Sequence, residues 1–251
     1  MNRRSHLRAA FGLILGLAFL PCVMGQEAAS RAELPSGESI LDRYVEVTGG
    51  AAAYKSRMSE AVTGTFAITA AGLTGQLQAF LKPGLHRLRI ELPGVGVIES
   101  GVKEGVAWAN DPFAGPRIVT GFQAELAIGS ARPGAAAHWR ELYPTVEATG
   151  IEDVNGEPAY RVVHTLAKGG SLTGLYSVGS GLLLKVAFTA EVPVEQFLEA
   201  YADVEGILTP TRVVQMAAGQ RIVMTFTSLE TNVEIPDERF DLPEGVQALL
   251  K

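Results

Sequence analysis

Leu85-His86-Arg87-Leu88-Arg89-Ile90-Glu91-Leu92, set between Pro83-Gly84 and Pro93-Gly94, is the stretch that decides the fold. His86, Leu88, Ile90 and Leu92 alternate with Leu85, Arg87, Arg89 and Glu91, so an extended chain here has one apolar side and one wet side. A helix would scatter the same residues around its circumference. Pro-Gly at both ends marks turns, and the stretch therefore reads as one strand of a sheet that meets water on its other face.

The same grammar runs outward in both directions. Upstream, Val62, Phe66, Ile68 and Ala70 share one face of 62–70, and Gly72 leads into Leu73, Leu77, Ala79 and Leu81 at the same period, a hairpin signature. Downstream come 97–103 and 106–110, and Asp111-Pro112 breaks the pattern. After Pro144 the alternation resumes in 146–154, turns at Asn155-Gly156, and continues through 159–166, 182–190, 197–204, 211–216 and 221–229. In 182–190, Leu182, Leu184, Val186 and Phe188 fall on one side by strict alternation. Val192-Pro193 and Thr209-Pro210 are expected at strand ends or edges, where a missing N–H does no harm. Some ten strands in series predict a single large antiparallel sheet.

Two regions break the pattern. Ser36 is placed to cap a helix over 37–48, with Ile40, Leu41, Tyr44, Val45 and Thr48 on one face and Gly49-Gly50 as its stop; 51–55 adds a further turn. Mid-chain, 118–131 and 135–142 read as helical around Pro133-Gly134, a candidate lid. An open sheet has two edges that invite aggregation, whereas a closed barrel has none. A plain up-and-down barrel would not need a long helical insertion, so the expected fold is mainly β with α. It is an incomplete, half antiparallel β-barrel, with an N-terminal helix and a mid-chain helical lid in its concave face.

Arg3, Arg4 and Arg8 precede an uncharged apolar run over 9–20 that is short for a membrane span, the pattern of a secretory signal. Val23 and Gly25 predict cleavage after Gly25, so residues 1–25 are a signal peptide, 26–35 a flexible leader and 36–251 a single domain. An uncleaved anchor is the alternative for the first segment. Lipid attachment at Cys22 is a third reading, against which stand Phe19, Leu20 and Pro21 where small residues are wanted. Cleavage lowers 21 Lys+Arg to 18 against 27 Asp+Glu, and the formal charge moves from −6 to −9. Nucleic acid is disfavoured as a partner. The sole cysteine leaves with the signal, so no disulfide is expected, and the periplasm is the expected compartment.

In order and spacing, the chain resembles the LolA-like periplasmic lipoprotein-carrier superfamily, which sorts lipoproteins to the outer membrane. The resemblance runs over 36–243. It rests on Ser39-Ile40-Leu41-Asp42-Arg43-Tyr44, on Ala79-Phe80-Leu81-Lys82-Pro83-Gly84, and on Gly105-Val106-Ala107-Trp108 followed by Asp111-Pro112. Asn155-Gly156-Glu157-Pro158-Ala159-Tyr160, Val204-Glu205-Gly206-Ile207-Leu208-Thr209-Pro210 and the closing stretch from Ile235 to Pro243 complete it. The resemblance implies an apolar interior that accepts acyl chains, no enzymatic activity and no cofactor. The implied partners are a lipid acyl chain or lipoprotein and an envelope membrane complex, and a monomer is expected. It also implies a polar lock between a strand arginine and the lid, for which no local motif selects among Arg87, Arg89 and Arg161.

By period, the residues expected on the concave face as ligand contacts are Phe66, Ile68, Leu77, Leu88, Ile90, Trp108, Val162, Leu184, Phe188 and Phe226. Each has a plainer reading as core. The competing functional class is an envelope adaptor with a filled interior, plugged by lid side chains such as Leu126 and Trp139. Catalysis finds no motif: G-x-S-x-G, H-E-x-x-H, a P-loop and G-x-G-x-x-G are all missing from the sequence. Of the histidines at 86, 138 and 164, only His138 has helical spacing to a carboxylate, Glu141, and it reads as an ordinary hydrogen-bonded side chain.

Overall fold

The stretch 85–92 forms a strand, as its alternation requires. The computed structural model describes residues 34–251; the expected signal peptide over 1–25, with its cleavage site, and residues 26–33 of the expected leader lie outside the described residues. Six strands precede the helical insertion: β1 (Glu60–Ile68), β2 (Leu73–Lys82), β3 (Leu85–Leu92), β4 (Gly96–Lys103), β5 (Val106–Asp111) and β6 (Gly115–Ile118). Seven follow it: β7 (Thr145–Val154), β8 (Glu157–Thr165), β9 (Ser171–Ser177), β10 (Leu183–Thr189), β11 (Pro193–Val204), β12 (Ile207–Ala217) and β13 (Gln220–Thr231).

All thirteen pair antiparallel in one open sheet ordered β6-β5-β4-β3-β2-β1-β13-β12-β11-β10-β9-β8-β7. Each meander is joined by local turns, and the pairing of β1 with β13 stitches the two together in the middle. The free edges are β6 and β7, and the chain crosses from one to the other through the helices. This is the half-barrel arrangement. Two strands are added to those expected, β9 and β6, and the residues of β6 do not alternate visibly. Pro116 sits within it, and pairing with β5 holds residues 115–118 extended, so the mid-chain helix starts at Gly121 and not at 118.

The helices are α1 (Gly37–Val47), α2 (Gly50–Lys55), α3 (Gly121–Ser130), α4 (Trp139–Leu142) and α5 (Glu244–Gln247), with a 3-10 turn over Ala135–His138 before α4. Ser36 caps α1, its Oγ accepting from the Ser39 amide at 3.2 Å. Ile40, Leu41 and Val45 of α1 are buried against Val146, Val162, Tyr176 and Ile207 of the sheet. The Leu208 amide donates to the Thr48 carbonyl at 2.8 Å, which ties the end of α1 to β12. Ala124 and Ala127 of α3, with Ala131, pack on Val102 and Ala107. These contacts define the inner, helix-bearing face.

The outer face is covered as well, but only over β2–β6. Residues 232–251 return across it, burying Phe240 and Val246. Lys82 and Lys103 pair with Asp237 and Asp241 at 2.8 and 2.7 Å, and Arg87 donates to the Asp241 carbonyl at 2.5 Å. Beneath this strap Glu99, 6% exposed, accepts from both Arg87 and Arg89 at 2.7 and 2.8 Å. Burial alone would raise the Glu99 carboxyl, but the two guanidinium hydrogen bonds overcome it and hold it below the usual range.

Pro210 departs from the expected position. It lies inside β12, an interior strand, opposite Tyr201. The β12–β13 ladder covers only Arg212–Ala217, so Pro210 lies beyond its end on that side, while on the other side the β11–β12 register runs through unchanged past Ala200, with φ 54°, which is left unpaired.

Candidate functional site

Between the inner face of β8–β11 and the helices lies a cavity of ≈ 300 Å³. Leu41 and Tyr44 of α1, Leu126 of α3, and Trp139, Leu142 and Tyr143 at α4 form its roof. Its floor is three cross-strand rows set by register: His164, Leu172 and Phe188; then Gly174, Val186 and Gln196; then Tyr176 and Leu183. A side chain at Gly174 would place its Cβ 2.7 Å from the Tyr176 ring and 2.9 Å from His164 Nε2, so glycine makes the room in which those two rings meet over the middle row. The first row opens onto a wider surface groove of ≈ 530 Å³ that shares Leu172 and Phe188 and runs past Gly170, Thr173 and Glu195. Phe122 of α3 stands over that opening, its ring centroid 6.0 Å from Phe188.

The polar groups here are few and uncharged. His164 is 2% exposed; its Nε2 lies 3.3 Å from the Tyr176 hydroxyl, and its Nδ1 has no hydrogen-bond partner. Burial pushes His164 down to about 4, so the ring is neutral at physiological pH. The Tyr143 ring meets it edge-on at 4.7 Å, and burial pushes the Tyr143 hydroxyl up to about 12. Gln196 donates to Gln215 at 2.9 Å. Among the described residues no group of three or more His, Cys, Asp or Glu is placed to hold a metal. His138 and Glu141 meet at 2.8 Å on the lid, and Glu141 also accepts from Arg132 at 2.7 Å, which makes them a surface hydrogen-bonded cluster.

The ten residues selected by period are divided by the structure. Phe66, Leu77 and Ile90 are buried in one patch with Ile68, Leu88 and Phe226, on the inner face of β1–β3 and β13 and away from the cavity. Val162 is fully buried beneath α1. Phe188 lines the cavity. Leu184 and Trp108 fall on the outer face, against expectation. A bulge between Leu183 and Lys185 shifts the phase of β10, so Leu183 faces the cavity and Leu184 packs with Leu175 and Phe197 behind the sheet. Trp108 is opposite Gly101, whose hydrogen allows the indole to lie within 3.0 Å of where a Cβ would be, and it is buried under the strap beside Arg87.

Sequence reasoning missed Leu172, Tyr176 and His164 as members of the site. Leu172-Thr173-Gly174-Leu175-Tyr176 carries the same alternation, but apolar Leu175 on the other side blurs it. None of Arg87, Arg89 and Arg161 reaches the lid: the first two serve Glu99, and Arg161 pairs with Glu152 at 2.9 Å. The lid is tied to α1 by Arg140, which grips Asp42 with two hydrogen bonds at 2.8 and 2.7 Å and stacks on Trp139 at 4.0 Å.

No family model matches the chain. No curated protein matches it either. Solved structures do match. A LolA superfamily protein from Nitrosomonas europaea aligns at 16% identity with a TM-score of 0.55, covering 83% of this chain and 99% of that one. A DUF1329 family protein from Desulfovibrio piger aligns at 15% with a TM-score of 0.55, covering 82% and 97%. A domain described as an outer-membrane lipoprotein-sorting protein, from Vibrio parahaemolyticus, aligns at 12% with a TM-score of 0.50, covering 80% and 97%. At such identities the likeness is one of architecture, and what it establishes is that this chain has a LolA-like fold.

Proposed function

We propose that the protein is an exported, periplasmic carrier that holds the apolar chain of a lipid or lipoprotein in the cavity beneath α1, α3 and α4 and performs no covalent chemistry on it. The observation that carries this reading is the ≈ 300 Å³ hollow itself: Leu126 and Trp139, which would plug the interior of an adaptor, line the space and leave it open. A group of water or methylene size takes about 30 Å³, so roughly ten methylenes fit. At ~0.8 kcal/mol each they supply about 8 kcal/mol, enough for micromolar binding before ordering costs, without a specific hydrogen bond.

A carrier must also release its cargo. α3 has no buried residue, and it packs on the sheet through Ala124, Ala127 and the half-buried Phe122, so lifting it forfeits limited apolar burial. The fold shared with the Vibrio parahaemolyticus lipoprotein-sorting domain is consistent with this role. The test is to purify the exported protein from a bacterial envelope and identify co-extracted lipids by mass spectrometry. Wild-type protein should bring down lipid, and Phe188→Glu should lose it while keeping its circular dichroism and melting behaviour. Equal recovery from both, or none from the wild type, defeats the assignment and leaves the adaptor.

A further inference from the structure

We propose that the cavity takes a single unbranched chain whose head is an uncharged hydrogen-bonding group, such as an ester, amide or hydroxyl, seated beside Tyr143 and His164. This inference rests on the carrier reading and names its ligand class. Volume sets the chain number: room for roughly ten methylene-sized groups is filled by the inner part of one chain, and two chains side by side would not enter.

Register sets the orientation. The row that opens to the surface groove holds His164, Leu172 and Phe188, while the far row holds Tyr176 and Leu183 under Leu41 and Tyr44. A chain entering past Phe122 and Phe188 runs along Val186 of the middle row, beside the Tyr176 and His164 rings that close over Gly174, and ends against leucines and tyrosine rings. Its head then stays level with His164. That ring is buried with Nδ1 unpartnered, and it abuts Tyr143, whose hydroxyl no hydrogen bond holds among the described residues. A buried polar atom without a partner is costly, and a ligand carbonyl or hydroxyl between these two groups offers one.

Charge sets the class. No lysine, arginine, aspartate or glutamate lines the cavity, and the groove contributes only Glu195, which is already paired with Lys185. A carboxylate or phosphate drawn into this region would lose water and meet no cation. Lys168, in the β8–β9 turn near the groove, is exposed and lines neither space.

The experiment measures displacement of the neutral fluorescent probe N-phenyl-1-naphthylamine from the purified protein at pH 7.5. The competitors are 1-monolauroylglycerol, dodecanol, laurate and dilauroylglycerol, each below its aggregation threshold. Monolauroylglycerol and dodecanol should compete at least tenfold better than laurate, and dilauroylglycerol should compete poorly. Tyr143→Phe should cut the advantage of monolauroylglycerol over laurate several-fold, each affinity being compared within that variant. Laurate competing as well as the neutral lipids, above all if Lys168→Ala abolishes it, overturns the inference while the carrier reading stands; equal competition by dilauroylglycerol does the same. Failure of the probe and of every lipid to bind sinks the carrier reading itself.

Discussion

Lengthening the chain of a neutral monoacylglycerol one carbon at a time reads the depth of the cavity directly. Each methylene buried adds ~0.8 kcal/mol, which is roughly fourfold in affinity. With ≈ 300 Å³ available, the rise should hold until roughly ten methylenes are inside and then flatten, because further carbons emerge past Phe122 and Phe188 into an open groove where they stay wet. From six to ten carbons, affinity should grow about 250-fold at that increment. Val186 lies in the middle row of the floor, and Val186→Phe should bring the plateau down by two or three carbons without changing the slope below it. Isothermal titration calorimetry across the series supplies both slope and break. Affinity that keeps climbing through sixteen carbons, or that ignores chain length from the start, would refute a chamber of this size as the place where the chain lies.

Two further outcomes follow from buried polar groups. The folded-state pKa of His164 is depressed to about 4 against 6.5, so the unfolded chain binds the proton first and stability falls as pH drops below 6.5. Between pH 7 and 5 this side chain should cost about 2 kcal/mol, with half-buried His86 adding in the same direction. Urea unfolding at both pH values should show the loss, His164→Phe should remove its share, and an unchanged pH slope in that variant contradicts the argument. Glu99→Ala should destabilise by about 3 kcal/mol in the same assay, since it strips Arg87 and Arg89 of their buried acceptor beneath the strap; a loss under about 1 kcal/mol would mean that water and the Asp241 carbonyl satisfy both guanidinium groups.

Alternation was readable wherever one face of a strand is wet, which is why Leu85–Leu92 and its neighbours could be placed as strands. It failed where both faces are covered. Trp108 lies under residues 232–251, and no period reveals that the far end of the chain returns over β5. Small residues on the inner side of that strand, Ala107 and Ala109, are the trace of α3 packing close, but an alanine is a weak sign of orientation. Leu184 was misplaced for another reason. A bulge adds one residue to β10 and reverses every inward assignment before it, and Leu182-Leu183-Leu184 carries no chemical mark of where it falls. The helical cover was legible as a helix break between two strand series, whereas the cavity beneath it depends on register among β8, β9, β10 and β11, four strands whose pairing only folding brings into line.

The position of that cover follows from where the chain ends pair. Because β1 and β13 meet in the centre, both free edges belong to mid-chain strands, and residues 119–144 must bridge them across the inner face. The bridge thus does two things at once. It roofs the hollow, and it anchors the sheet at both edges, one of which is the four-residue β6 with Pro116 in it and the other β7 with Glu147, Glu152 and Asp153, features that discourage pairing with another sheet. The core under α1, with Ile40, Leu41, Val45 and Tyr54, shares no side chain with the alanine contacts of α3. Displacing α3 alone therefore leaves that core and both anchors in place. Under the carrier proposal the gate is α3 with Phe122, opening against the exposed Arg140–Asp42 clasp at the α4 end, and the body of the barrel need not deform for a chain to pass.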